Sequence, residues 1–419
     1  CESLVYPETL AKDHSNIEKY HVDKAICVST KCANAFLLQK IKRKEERVMK
    51  KGKSISELYD ELQRQREVRK DLVADTRTMK VSTEDGRSML TIGAGRRKES
   101  YLVSDTAHRQ IADRLQIPYK YYERMQHDYP ALLDQNINGW FLKNYERRLV
   151  RTLDGKARAF LSDRYRRLDN LELADAVLPV IAEMKGADIL SAEVTETRMF
   201  IKVVNKSLKA ELGVGDVVQA GFVVSNSEIG LGAVKVEPLV YRLACKNGLI
   251  VKDFATRKYH AGRQINAMED SADLFSDETK MADDKALFMK VQDIVRCAVY
   301  ETRFNLCVNK LKEAKGMSTG NNPVQTVEVL GDKYILNKNE RASILRHFIL
   351  GGDPSRYGLI NAVTRASQDI PGYDRATDLE RIGGEMLSEI EIPTVEQGTI
   401  EAFAEEELPA HSNIIRIGA

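Results

Sequence analysis

The chain has 419 residues, 43% of them hydrophobic, and a formal net charge of +2. That length accommodates two or three domains, or one large core with attachments. No run of eighteen apolar residues occurs, which excludes an apolar membrane-spanning helix. The near-neutral average hides an asymmetry. Lys40 to Lys53 is strongly basic, whereas Glu385 to Glu407 holds eight glutamates and no Lys or Arg. A basic front with an acidic tail is a pattern of chains that handle nucleic acid, the tail competing for the basic surface.

The chain begins at Cys1, and Met49 is followed by a polar run leading into a helix. Tandem Glu45-Glu46 is what a purine-rich ribosome-binding site gives when translated in frame. Residues 1–48 are therefore expected to be an untranslated upstream segment, with the natural start at Met49. They hold Cys1, Cys27 and Cys32, and His21 lacks the second ligand pair a zinc site needs. Cys245, Cys297 and Cys307 are too few for a disulfide framework. Reduced thiols without an export signal predict a cytoplasmic protein.

Ile55 to Val73 has a helical apolar stripe through Ile55, Leu58, Leu62 and Val68/Leu72. A loop-rich segment is expected next, through Asp85-Gly86 and the basic loop Gly93 to Lys98, which lacks the spacing of a nucleotide-binding loop. Ser104 or Asp105 caps a helix to Leu115, and Pro118 opens another from Tyr119 to Met125. Ala112, Leu115, Ile117, Tyr122 and Met125 match helix-turn-helix spacing, with Gln116 where Gly is usual and Lys120 and Arg124 facing a duplex. An ordinary helical hairpin has the same pattern.

Arg147 to Arg167 carries eight basic residues against two acidic ones. Its central Asp154-Gly155 predicts a two-residue hairpin turn. That register sets Arg151 opposite Arg158, with Val150, Thr152, Ala157 and Ala159 on the other face. Facing like charges favour a polyanion above them. Arg148, Arg151, Lys156, Arg158, Arg164, Arg166 and Arg167 are thus candidate phosphate-binding residues, and Tyr165 a stacking one, beside Tyr145 and Phe160. The competing reading of Arg164 to Arg167 is an ion network with Asp163 and Asp169.

Leu171 to Met184 reads as a helix that Pro179 kinks or breaks. Ser191–Val204, Asp216–Ser225 and Leu231–Cys245 read as strands, Lys246-Asn247-Gly248 as a turn, and Ala282–Lys315 as one long amphipathic helix. The fold expected is α+β: an antiparallel sheet of hairpin-connected strands flanked by helices, with that long helix and a small C-terminal helical segment. Its divisions are 49–100 (helix and basic loop), 101–315 (core), 316–324 (linker), 325–384 (helices, the last ending at Gly383-Gly384) and 385–419 (acidic tail).

The block VVSNSEIGLGAVKVEPLVYRLACKNG (Val223 to Gly248) resembles the hallmark segment of the phage/plasmid-like protein family, a domain-of-unknown-function family of prophages, phages and plasmids. AHRQIADRLQIPYKYYERM, VRTLDGKARAFLSDRYRRLDN and GLINAVTRASQDIPGYDRATDLERIGG are similar to that family's pattern, so the resemblance covers about Ser104 to Gly384. It implies a mobile-element setting in a bacterial host cell and assigns no catalytic residue. Three functions are weighed. The first is single-stranded DNA binding or annealing in recombination, without catalysis and with self-association expected. The second is duplex binding and regulation through residues 107–125. The third is a metal-dependent nucleic-acid enzyme using Asp163, Asp169, Glu228 and Glu237. No cofactor motif is found, and the Ser225-Asn226-Ser227-Glu228 stretch reads as a capped turn.

Overall fold

A computed structural model describes residues 52–251 and 277–388, apart from Ala94, Arg96 and Asn321. The expectations for residues 1–48, and for the acidic tail beyond Ser388, lie outside the described residues. The fold is α+β, with eleven α-helices and eleven strands among those residues.

Helix α1 (Ile55–Val68) starts on a capping box, in which Ser54 and Glu57 satisfy each other's backbone N–H. Strands β1 (Lys70–Asp75), β2 (Met79–Glu84), β3 (Arg87–Ile92) and β4 (Glu99–Val103) follow. Helices α2 (Asp105–Arg114), α3 (Tyr119–Asp128) and α4 (Pro130–Lys143) come next, then the hairpin β5 (Arg147–Leu153) and β6 (Lys156–Ser162). These six strands form one sheet in the order β1-β5-β6-β4-β3-β2, antiparallel except for a short β4–β6 pairing. Its inner face (Val81, Leu90, Val103, Val150 and Phe160) packs on Ile111, Tyr122, Leu133 and Ile137 of the three helices. On the β2 edge, Asn138 and Asp134 of α4 bond the backbone of Val81 and Thr83. Side chains thereby occupy groups that would otherwise template another strand.

The second sheet is an antiparallel meander of β7 (Ala187–Val194), β8 (Met199–Gly213), β9 (Asp216–Asn226), β10 (Lys235–Arg242) and β11 (Asn247–Ile250). Part of one face packs with α1, α5 (Asn170–Glu183) and α6 (Asp277–Cys297). The rest of that face meets α7 (Glu301–Lys315), α8 (Pro323–Lys333), α9 (Lys338–Gly351) and α10 (Arg356–Ala366). The last helix, α11 (Tyr373–Ser388), lies against the other face, where Lys202 and Glu380 form a fully buried ion pair at 2.6 Å.

Several elements differ from expectation. The loop-rich segment after α1 holds the four strands β1 to β4. Asp85 and Gly86 (φ 47° and 73°) form the same tight turn as Asp154 and Gly155. The 55–73 helix stops at Val68 because Leu72 packs from β1 into the first sheet's core. The break expected at residue 100 falls within β4, which pairs with β3 and β6. Helix α4 was not anticipated. Helix α5 runs uninterrupted past Pro179. Residues 191–204 turn at Thr195 to Arg198, so they belong to β7 and β8. The long helix is two, because Val291 and Val295 pack on one core while Phe304, Val308 and Leu311 pack on another. Gly383 and Gly384 lie inside α11, not at its end. A Cβ on Gly384 would sit 1.9 Å from the carbonyl oxygen of Ile250, so the pair permits close approach to β11.

Candidate nucleic-acid interface

The arginine pair of the β5–β6 hairpin is not an open polyanion site. The Asp154-Gly155 turn forms as expected, but a β-bulge shifts the register, so Arg151 lies opposite Ala159 and Arg158 is the extra residue. Arg151 is 0% exposed. It donates to Asp71 at 2.9 Å, to Asp169 at 2.7 Å and to the backbone oxygen of Glu228 at 3.0 Å. Arg158 pairs with the Glu228 carboxylate, which also accepts from the backbone N–H of Asn170 at 2.7 Å. Arg69 joins Asp169 and approaches Glu228 at 3.7 Å, and Arg167 approaches Asp71 at 3.6 Å. Burial pushes the Asp169 carboxyl up, but Arg151 and Arg69 outweigh it and hold the group below its ordinary value. This network ties the first sheet to the loop after β9. Its carboxylates come from β1, the start of α5 and that loop, so spacing within the hairpin could not reveal them.

The other hairpin candidates divide. Tyr165 is half-buried against Gly230, with its hydroxyl 3.4 Å from the backbone oxygen of Ser227, so its ring is no platform. Phe160 is core and stacks on Phe141. Arg166 pairs with Asp283 and Asp284 of α6 rather than with Asp163 or Asp169. Arg164 and Lys156 are exposed, and Lys156 reaches Glu196 at 3.4 Å. Arg148 is mostly buried, held by Glu146 and lying over the Phe160 ring.

The exposed cations and rings meet elsewhere, around the C-terminal end of α4. Ile137 and Phe141 point into the core, one turn apart, which sets Trp140 at the border of the helix's buried face and Leu142 and Lys143 outside it. Trp140 is 38% exposed and Tyr145 57%. Lys143 Nζ lies 5.2 Å from the Trp140 ring centre, and the Arg77 guanidinium sits 3.9 Å above Tyr145. The turn carrying Arg77 is fixed here by Thr76, whose hydroxyl donates to the backbone oxygen of Phe141 and whose N–H donates to that of Glu146. Arg114 of α2 and Arg148 both clamp Glu146, and Arg147 pairs in register with Asp75 across β1 and β5. The patch thus joins Arg77, Arg114, Lys143, Arg147 and Arg148 to two carboxylates, Asp75 and Glu146. It has a positive excess of three around two exposed rings. The surrounding segment Lys70–Arg167 carries 20 Lys and Arg against 13 Asp and Glu. Only Tyr145, Arg147 and Arg148 of this patch were singled out from the sequence. WFLKNYERR (140–148) interleaves rings and cations, and that was the available signal.

Next to this patch, α2 and α3 form the expected helical pair. Gln116 takes the left-handed conformation (φ 55°), and Ile117 N–H reaches back to Ala112 O at 2.9 Å, the Schellman closure that Gly usually provides. Lys120, Tyr121 and Arg124 are exposed on α3, with Arg124 3.5 Å from Asp128. Of the carboxylates weighed for metal chemistry, Asp169 and Glu228 are engaged by arginines and Glu237 by Arg381 at 2.7 Å. Among the described residues no group of His, Cys, Asp or Glu is placed to hold a metal ion.

Comparisons with protein-family models, curated proteins and solved structures find no match to this chain.

Proposed function

We propose that this chain is a nucleic-acid-binding protein that neutralises phosphates at the end of α4, without reading sequence. The observation that carries this reading is the patch's net excess of three positive charges around two exposed rings, five cations being served by two carboxylates. Cations so placed attract a phosphate backbone, and the interleaved rings favour a partner with π-faces. The family resemblance implies a mobile-element setting, and recombination in a phage or plasmid is the DNA handling we infer for it. Fluorescence anisotropy with labelled single- and double-stranded oligonucleotides, with and without magnesium, tests the reading. Binding that weakens in the double variant Lys143→Ser/Arg147→Ser supports it, and absence of binding at low salt rejects it.

A second reading has α3 as a duplex-binding helix, favoured by the exposure of Lys120, Tyr121 and Arg124. It requires preference for one duplex sequence, lost in Lys120→Ala/Arg124→Ala. Magnesium-dependent cleavage of the oligonucleotides would favour catalysis instead.

A further inference from the structure

We infer that the partner of this patch is a single strand and that Trp140 is the residue on which a base stacks. The inference rests on the nucleic-acid reading above and adds the strand type and the contact. A duplex keeps its bases stacked on each other, so a ring outside it meets sugar, phosphate and base edges but no free base face. A single strand offers free π-faces, and base stacking on an aromatic side chain is a principal source of its affinity.

The geometry around Trp140 matches that demand. Its place on α4 is fixed by its neighbour Phe141, which is locked in the core against Phe160. More than a third of it remains open to solvent. Lys143, one turn on, stands at the ring, where it can hold the phosphate adjoining a stacked base. Tyr145 supplies a second surface of different construction. The Arg77 guanidinium already sits 3.9 Å above its ring centre and is held there by two hydrogen bonds to Asp75, at 3.0 and 2.8 Å. The outer face of a fixed guanidinium is itself a stacking surface for a base. The two platforms lie five residues apart, with Lys143 between them and Arg147 just beyond. That arrangement alternates rings with phosphate partners, as a single strand alternates bases with phosphates.

Trp140 is the sole tryptophan of the chain, so its emission reports this site alone. Tryptophan emission and the anisotropy of a labelled oligothymidylate are followed in one titration of the full chain, alongside a duplex of equal length. The expected result is emission quenching that saturates together with anisotropy for the single strand, with weaker binding and little quenching for the duplex. Trp140→Leu is expected to weaken single-strand binding about tenfold, and Trp140→Phe to retain most of it. Circular dichroism establishes that both variants are folded. Single-strand binding with unchanged emission and an unaffected Trp140→Leu variant would overturn the inference while leaving the nucleic-acid reading intact. Duplex binding as tight as single-strand binding, with equal quenching, would also overturn it. Binding of neither strand type removes the reading and the inference together.

Discussion

Arg151 shows how far a residue's role depends on partners remote in the chain. Its type and position in the hairpin were legible, but Asp71, 80 residues earlier, and Asp169 decide what it does. Replacing it by Ser leaves the buried Asp169 and the half-buried Asp71 without their main cation, a loss of about 3–5 kcal/mol by analogy with other broken buried pairs. Urea denaturation measures it. A variant within 1 kcal/mol of the parent would show that the network does not bind the two sheets together. His108 gives a pH prediction at the same scale. Burial pushes its pKa down to about 4 against a favourable pull from Asp105, and its ring bonds the Tyr122 hydroxyl at 2.8 Å. The unfolded chain therefore binds the proton between about pH 6.5 and 4 while the folded chain does not, so stability falls as pH falls through that window. The loss attributable to His108 is on the order of 3 kcal/mol by pH 4. Urea midpoints at pH 7 and pH 5 check it, and His108→Gln should flatten the difference.

At the scale of elements, local chemistry was readable where a turn or cap is made of adjacent residues. Asp154-Gly155, the Ser104 cap and the start of α3 at Pro118 are such cases. Tertiary packing decided the rest. Residues 301–315 leave the line of α6 because a second core awaits them, and the periodic stripe cannot announce which core each half will meet. Helix α4 was hidden by its asparagines, yet Asn138 is there to cap the β2 edge with two hydrogen bonds of 2.8 Å. Asn138→Ala should cost about 2 kcal/mol, near 1 per bond, and an unchanged urea midpoint would show that water replaces them fully. Gln116→Gly should stabilise by about 0.5–1 kcal/mol, since a left-handed position suits Gly. Calorimetry showing a lower melting temperature would mean that the Gln side chain contributes more than its backbone strain costs.

At the scale of the molecule, two sheets are joined by a buried arginine–carboxylate network, and part of the surplus positive charge of the first sheet's segment gathers at the end of α4. The α+β class was legible in the strand and helix patterns. The interface was only half legible, because summed charge along Arg147 to Arg167 does not say which guanidinium groups are already neutralised. The salt dependence of single-strand affinity tests the central claim most directly. Three uncompensated charges predict a log–log slope of roughly −2, flattened by more than half in Lys143→Ser/Arg147→Ser. A slope near zero in the parent, or one unchanged in that variant, would contradict a nucleic-acid interface at the end of α4.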